Sequence, residues 1–267
     1  MAESSKFHWR AAVMLPLVFG CAAETRSGAP ELVQEGCSRI VGGGSDRSHR
    51  GVVALLDEDG ALACSGSLVG NAGGSVVLTA AHCLRSPLAG AVIGSDYAAP
   101  DVFLPALSQF AHPDFDRRTG DFDFGVVVLD GVTEASSWLS LPSGSDELGA
   151  GTPVDFVGYG STEDVNPNTE RREVAGTIEQ LTPTSFEYAQ TEGGPCSGDS
   201  GGPALAELDG QSVLVGVTSS GDESCHVSGV SARVSAATDF IAAVLGGDTP
   251  SGGASRTDGA AAACDGD

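Results

Sequence analysis

Short apolar segments recur along the middle of the chain, and clusters of Gly, Asp, Ser and Pro separate them. The segments are rich in Val, Leu and Ile, are too short for helices and show no 3.6-residue period. This pattern is typical of strands joined by turns, and it predicts an all-β domain over residues 40–245. The clearest apolar runs are 52–56, 76–78, 126–129, 154–157 and 213–217.

The C-terminal part of the chain has a different pattern. Residues 234–245 carry apolar side chains at helical spacing, and two glycines follow them directly. This segment therefore predicts a helix that closes the domain. Residues 246–267 consist mainly of Gly, Ala, Ser and Asp, a composition that predicts a flexible tail.

The first residues of the chain predict export. Lys6 and Arg10 flank the apolar run 11–20, which is too short to span a bilayer, so residues 1–23 are typical of a signal peptide. The tetrapeptide VFGC (18–21) resembles the lipobox of bacterial lipoproteins, in which Cys21 is lipidated. Plain cleavage after Ala23 is the alternative. Either route gives an extracytoplasmic protein, which is secreted or is a periplasmic or outer-surface lipoprotein.

The charge of the chain excludes one class of partner. Thirteen Lys and Arg residues stand against 36 Asp and Glu residues, and the formal net charge is −23. The average field of such a protein repels phosphate, so we expect no nucleic-acid binding. The acidity by itself indicates solubility, and a preference for cationic substrates is an alternative that charge alone does not establish.

The hexamer GDSGGP (198–203) has the features of a nucleophile loop. Serine needs an adjacent base and hydrogen-bond donors for the developing oxyanion before it can attack an amide. Glycines on both sides of Ser200 allow a tight turn and the close approach of a substrate carbonyl. We expect the backbone N–H groups of Gly198 and Ser200 to form the oxyanion hole. The alternative is a Gly/Ser loop without function, but a chance match to this hexamer is improbable.

The pentamer TAAHC (79–83) follows an apolar run and places His82 at the end of a strand. Together the two motifs resemble those of the chymotrypsin/trypsin family of serine peptidases, and the resemblance extends from Ile40 to about Leu245. It implies two six-stranded antiparallel β-barrels with a C-terminal helix and the active site in the cleft between the barrels. The other histidines receive a structural interpretation: His8, His49, His112 and His226.

The resemblance also implies a catalytic aspartate at the start of a buried strand. Asp123 opens the segment DFGVVVL (123–129), which matches the family pattern, whereas counting from Asp121 would put polar or small residues where the strand should be apolar. Ser219 matches the serine that holds the aspartate in this family. The order His82, Asp123, Ser200 is that of chymotrypsin-type enzymes.

The segment SRIVGG (38–43) resembles the activation site of the family. Residues 24–39 would then be a propeptide, and an activating peptidase would cut after Arg39. The freed amine of Ile40 would pair with Asp199 and order the oxyanion loop. The alternative is that Ile40 simply begins the first strand.

Seven cysteines are present, and both processing routes remove Cys21 from the pool available for pairing. Disulfides are permitted in an exported protein. The family resemblance implies two bridges, Cys64–Cys83 and Cys196–Cys225. This leaves Cys37 and Cys264, whose pairing the sequence leaves open.

The expected specificity pocket departs from that of trypsins. Gly194 stands where trypsins carry the aspartate that binds Arg or Lys, and Gly221 and Gly229 match the pocket walls, with Ser219 beside them. An open slot without a charge at its base favours bulky apolar or aromatic side chains. The acidic residues Asp222 and Glu223 at the rim leave attraction of a basic side chain as an alternative.

These patterns together predict a monomeric serine endopeptidase that acts on protein or peptide substrates and needs no metal and no cofactor. A binding protein on a peptidase scaffold without catalytic activity is the rival hypothesis. The presence of all three residues of the expected triad favours the enzyme.

Overall fold

The computed structural model describes residues 40, 42–144, 146–162 and 168–250, and the backbone of 254–255. The expected signal peptide, Cys21, Cys37, Arg39 and Cys264 lie outside the described residues. Among the described residues, no helix is long and apolar enough to cross a membrane.

The first half of the described chain forms a closed antiparallel barrel of six strands. The strands follow one another around the barrel in the order β5, β2, β3, β4, β7 and β6, and β6 returns to β5. A two-residue strand near the C-terminus, β14 (Ala254–Ser255), adds to the outside of β6. The barrel strands are β2 (Val52–Asp57), β3 (Leu62–Asn71), β4 (Ser75–Thr79), β5 (Leu88–Ile93), β6 (Val102–Ala111) and β7 (Gly125–Leu129).

The second half forms another closed antiparallel barrel of six strands. Its strands follow the order β8, β9, β10, β13, β12 and β11, and β11 returns to β8. A short strand, β1 (Gly44–Ser45), pairs with the outside of β9. The barrel strands are β8 (Pro153–Gly158), β9 (Arg172–Leu181), β10 (Ser185–Ala189), β11 (Pro203–Leu208), β12 (Gln211–Gly221) and β13 (Ser228–Arg233). The prediction of two six-stranded barrels is confirmed.

The strands form where β-branched and aliphatic residues accumulate. All five residues of β4 are buried, and β7 buries four of its five residues, which are Gly, Val and Leu. Such side chains pack well on a pleated surface that is covered by a neighbouring layer. The most completely buried strands of the first barrel are therefore the two that lead into His82 and out of Asp123.

The predicted C-terminal helix is present. A 3₁₀ turn (Val234–Ala237) leads into α1 (Thr238–Leu245), which crosses back onto the first barrel. Phe240 of α1 lies with its ring 4.9 Å from that of His112, and Leu245 fills the space that a side chain at Gly70 would need. The helix therefore ties the end of the second barrel to the first.

A buried polar link also joins the barrels. Tyr159, directly after β8, donates its hydroxyl hydrogen to the carbonyl oxygens of Val52 and Gly94 at 3.1 and 2.5 Å. The guanidinium of Arg171 donates to the same two carbonyl oxygens and to the carboxylate of Asp46, the latter at 2.6 Å. Because these carbonyl groups belong to the first barrel, the link fixes the cleft between the two barrels.

Candidate active site

Asp123 is held in a buried position at the start of β7. Its residue is 2 % exposed, and the preceding Phe122 adopts a left-handed backbone conformation with φ of 52°. This turn aims Asp123 inward, whereas Asp121 is exposed and accepts hydrogen bonds from Thr119 and Thr184. The structure therefore places Asp123, and not Asp121, beside the candidate histidine.

His82 and Asp123 form a two-point contact. The backbone N–H of His82 donates to Oδ1 of Asp123 at 2.9 Å, and ring atom Nδ1 lies 2.7 Å from Oδ2. Burial alone would raise the pKa of the Asp123 carboxyl, but the hydrogen bonds and charge of His82 and the hydrogen bond of Ser219 hold it below its usual value. The carboxylate is therefore ionised and can only accept, so Nδ1 carries the hydrogen and Nε2 is left as the basic nitrogen.

Ser219 completes the support of Asp123 from the other barrel. It lies on β12, and its hydroxyl donates to Oδ2 of Asp123 at 2.5 Å. The expectation from sequence put Ser219 both beside the aspartate and at the pocket wall. Of these two positions, the described structure shows the one beside the aspartate, through the bond to Asp123.

Ser200 lies on the loop between β10 and β11, on the side of the cleft that faces β4. Its carbonyl oxygen accepts from the backbone N–H of Ser65 at 2.8 Å. The next residue, Gly201, has φ of +81°, and a Cβ there would lie 2.0 Å from Oγ1 of Thr79 and 3.0 Å from the nitrogen of Ala80. Only glycine permits this close approach, which brings the Ser200 loop against the strand end that carries His82.

The His82 ring and the Ser200 hydroxyl are not hydrogen-bonded to each other within the described part of the chain. The sulfur of Cys83 lies 3.9 Å from Nε2 of His82 instead. In free active sites such bonds are often long and tighten when substrate binds. Ser200 is half-buried and lines the cleft, so the hydroxyl is open to substrate.

The two amides expected to form the oxyanion hole are free to donate. Gly198 adopts φ of +97°, and its carbonyl oxygen accepts from the hydroxyl of Ser65 at 2.9 Å, which fixes the peptide. Within the described chain, the backbone N–H groups of Gly198 and Ser200 reach no protein acceptor. Backbone N–H groups in an ordered loop are usually paired, so two free ones beside a serine can receive an oxyanion.

Asp199 is fully buried and has no ion-pair partner among the described residues. Its carboxylate oxygens accept from the backbone N–H groups of Gly160 at 2.8 Å and Cys196 at 2.9 Å. Burial raises the pKa of Asp199 to about 6, although these two bonds and the more distant charge of Arg172 oppose the rise. Ile40 is also fully buried, in the core of the second barrel.

The two expected disulfides are present. Cys64 on β3 pairs with Cys83, with Cα atoms 6.1 Å apart, and Cys196 pairs with Cys225, with Cα atoms 5.5 Å apart. The first bridge fixes the turn that carries His82. The second joins two walls of the cleft.

A cleft of about 250 Å³ lies beside Ser200. Gly221, Asp222 and Glu223 line it as expected, but Asp222 caps its own loop, since it accepts hydrogen bonds from Ser224 and from the backbone N–H groups of 227 and 228. These bonds lower the pKa of Asp222 and keep it ionised. The other residues that line the cleft include Pro195, Cys196, Ser197, Thr218, Ser220 and Cys225.

Gln190 lies behind the cleft wall, and the sequence analysis did not single it out. A Cβ on Gly194 would lie 2.3 Å from Nε2 of Gln190, and one on Gly221 would lie 3.2 Å from its Oε1. Gly229 instead abuts the ring of Tyr188. The Gln190 side chain fills the space where a side chain at position 194 would stand. No motif in the sequence around Gln190 predicts this position of its side chain.

Two groups of side chains bring metal-ligand atoms together within the described residues. One contains His82, Cys64 and Cys83, whose sulfurs are joined in a disulfide and are not thiolates. The other contains Asp46, His49 and Glu173, where Asp46 already accepts from Arg171. Neither donor set is free to hold a metal ion in this arrangement.

Two barrels with a buried Asp–His pair, a cleft serine and a free pair of amides define the scaffold of a serine peptidase. The chain belongs to the trypsin family, whose family model matches residues 40–241. It is 26 % identical over 211 residues to trypsin 5G1 of Aedes aegypti. The aligned residues cover 68 % of this chain and 75 % of that protein.

Solved structures share the same fold. Human heparin binding protein superposes with a TM-score of 0.68 at 24 % identity, over 79 % of this chain and 99 % of that one. A mutant of human heparin binding protein gives the same values. At this level of identity the likeness describes the fold.

Proposed function

We propose that this protein is a serine endopeptidase in which Ser200 is the nucleophile, His82 the general base and Asp123 the residue that orients His82. The observation that carries the proposal is the two-point bond from His82 to Asp123, which leaves Nε2 as the basic atom on the side of Ser200. Nε2 accepts the Ser200 proton as Oγ attacks the peptide carbonyl, and then donates it to the leaving amine. Water repeats the cycle on the acyl-enzyme.

The amides of Gly198 and Ser200 supply the second contribution. They are unpaired in the described structure, and the bond of the Gly198 carbonyl oxygen to Ser65 restrains the peptide group that lies between them in the loop. Preorganised donors stabilise the charge that develops on the carbonyl oxygen, and each such donor contributes about 10²–10³-fold to turnover. Both groups belong to the same loop, so the geometry of this loop controls activity.

Cleavage after Arg39 is the activation step in this proposal. A buried carboxylate without an ion-pair partner is costly, and Asp199 is in that situation in the intact chain. The new ammonium group of Ile40 would supply the missing cation, and pairing it with Asp199 would fix the neighbouring Gly198 amide. The chain is then made as a zymogen and requires an activating peptidase.

We further propose that the enzyme works outside the cytoplasm. Two disulfides are in place, and they persist in oxidising compartments. A signal peptide over residues 1–23 would export the chain, and a lipid on Cys21 would hold it at a membrane. Its partners are protein or peptide substrates, and it acts as a monomer.

A purely binding function on the same scaffold is less well supported. One structural relative is named heparin binding protein, and heparin is a polyanion. This chain has a net charge of −23 and would repel a polyanion. The ionised Asp123 and its bond to His82 have no role in a binding protein. The enzyme accounts for both.

Hydrolysis of a denatured protein substrate by the full chain, cut after Arg39, tests the proposal. We expect turnover, and we expect Ser200→Ala to lower it roughly 10⁶-fold. Ser197→Ala is the matched control, because Ser197 also lines the cleft but has no catalytic role, and it should keep most of the activity. Equal activity of wild type and Ser200→Ala would contradict the proposal.

A further inference from the structure

Gln190 is a buried amide beneath the substrate cleft. It directly follows β10, is 1 % exposed, and its backbone N–H donates to the carbonyl oxygen of Val227 at 3.1 Å. Its carbonyl oxygen in turn accepts from the N–H of Gly193 at 2.9 Å. The main chain of Gln190 is therefore fixed, and its side chain has a defined direction.

The orientation of the side-chain amide is set by Pro195. Nε2 of Gln190 donates to the carbonyl oxygen of Pro195 at 2.7 Å. Because that carbonyl group can only accept, the nitrogen must face it and the oxygen must face the other way. Oε1 is buried and has no hydrogen-bond partner in the described structure.

The unpaired oxygen lies behind Gly221, one of the residues that line the cleft. Oε1 would be 3.2 Å from a Cβ on Gly221, and that same Cβ position is 3.7 Å from Cα of Gly229. Gly221 and Pro195 both line the cleft beside Ser200. The amide thus runs from Pro195 toward Gly221 and lies behind the part of the cleft wall that these two residues form.

The Gln190 side chain also explains why position 194 is a glycine. A Cβ at Gly194 would lie 2.3 Å from Nε2, 2.6 Å from Cγ and 2.8 Å from Cδ of Gln190. An aspartate at position 194 and the observed Gln190 side chain therefore exclude each other. The neutral amide of Gln190 occupies the space that a side chain at position 194 would need.

We propose that Gln190 determines specificity, and that the enzyme selects substrates whose P1 side chain (the residue before the cleaved bond) ends in an N–H or O–H donor. This rests on the proposed peptidase function. The donor bonds Oε1, which is otherwise left without a partner. The sources of such a donor are hydroxyl, amide or cationic side chains, and all share this one contact.

The energetic basis is the asymmetry of buried hydrogen bonds. An unpaired buried acceptor costs about 1–3 kcal/mol, and a ligand that supplies the missing donor removes that cost. A site built to bond an OH or NH group discriminates against the analogue that lacks it much more strongly than an apolar pocket discriminates by size.

Matched peptide pairs test this proposal on the full chain cut after Arg39. The pairs differ at P1 only by the donor: Tyr against Phe, Gln against norleucine, and Thr against Val. We expect at least one pair to show a tenfold or greater preference in kcat/KM for the donor. A fluorogenic peptide with P1 Lys, compared with one with P1 norleucine, shows whether a cationic donor is accepted too.

Gln190→Met removes the acceptor at nearly constant volume. We expect it to reduce the preference to less than threefold, mainly through a gain on the peptides without a donor. Gln211→Met is the control, because Gln211 is exposed at the start of β12 and away from the cleft, and it should leave the preference unchanged. A wild-type preference that persists in Gln190→Met would contradict the role of Gln190.

Binding of the same peptide pairs to Ser200→Ala separates this proposal from the peptidase function. Calorimetric dissociation constants do not depend on turnover, and we expect the tenfold donor preference in them as well. Donor preference in binding without any hydrolysis by wild type would support the pocket and contradict the peptidase function. Hydrolysis with ratios within threefold for every pair would overturn the proposal about Gln190 and leave the peptidase function standing.

Discussion

Asp123 shows how a single buried carboxylate is made stable and useful. It accepts from the backbone and ring of His82 and from the hydroxyl of Ser219. These donors outweigh the effect of burial, so its pKa is lowered. An ionised Asp123 fixes the tautomer of His82, and this is the property that the catalytic proposal needs.

Replacement of Asp123 by Asn tests this role. Asn keeps the size but can donate to Nδ1, which favours the wrong tautomer of His82, so we expect kcat to fall about 10⁴-fold. Asp121→Asn is the control, because the Asp121 side chain is exposed and bonds only to Thr119 and Thr184 among the described residues. Steady-state kinetics should show a large loss in the first variant and little change in the second. Comparable losses in both would argue against our assignment.

Asp199 predicts a pH dependence of stability in the uncut chain. Its pKa is raised from 3.8 to about 6 in the folded protein, so the folded state binds a proton more tightly than the unfolded state. The stability from this group is then fully present below pH 3.8 and is lost as the pH rises through 6, by about 3 kcal/mol. Asp199→Asn removes this loss.

Denaturant unfolding of the two uncut proteins, each carrying Ser200→Ala, checks this expectation. At pH 8 the Asn variant should be the more stable one, and the difference should narrow as the pH falls through 6 and close near pH 3.8. After cleavage at Arg39 the order should reverse at pH 8, because the Ile40 ammonium group then stabilises the Asp199 carboxylate. Parallel pH profiles for the two uncut proteins would show that Asp199 is not the titrating group.

At the scale of elements, the cleft depends on the polar link between the barrels. Arg171 is buried just before β9 and reaches Asp46 before β2, while its Nη1 donates to carbonyl oxygens of the first barrel. Asp46 also accepts from Ser48 and His49, and these partners hold its pKa far below the usual value despite burial. The segment that follows the proposed activation site is therefore anchored by a charge pair between the barrels.

Breaking this pair should destabilise the fold. Arg171→Met leaves the Asp46 carboxylate buried without its cation, which costs about 3–5 kcal/mol, whereas Arg171→Met with Asp46→Asn should recover part of that loss. Arg118→Met is the control, since the Arg118 side chain is 84 % exposed, and it should change stability by about 0.5 kcal/mol or less. Urea unfolding measures all three. If Arg171→Met were as stable as wild type, the Arg171–Asp46 pair would not stabilise the fold.

At the scale of the whole molecule, the candidate site exists only when the barrels are packed together. His82 and Asp123 belong to the first barrel, and Ser200 and Ser219 to the second. The helix α1 and the link through Tyr159 hold the two halves in register. Both halves can therefore be rigid while the cleft between them stays open to a peptide.

Much of this arrangement could be predicted from the sequence, because local motifs carry it. The apolar runs coincide with strands, and the motifs around His82 and Ser200 sit at a strand end and on a glycine-rich loop. Less apolar strands such as β6 and β9 lack such runs because one face of each is largely exposed. The pairing of Asp123 with His82 follows from the order of motifs.

The position of Gln190 could not be predicted, because its contacts are created by tertiary packing alone. Gln190 is separated in sequence from Gly221 and Val227, and a polar residue at a strand end usually indicates an exposed position. The same applies to Arg171, whose burial depends on partners from distant elements. Neither residue lies in a motif, and both act through contacts that only the fold creates.

The most direct measurement is reaction of the full chain, cut after Arg39, with a fluorophosphonate, followed by mass spectrometry of the labelled peptide. We expect one label per molecule, on Oγ of Ser200, and a strong reduction of labelling in His82→Ala. Labelling of the uncut chain should be far slower. A cut and folded chain that takes up no label at Ser200, or labels as fast without His82, would contradict the central claim.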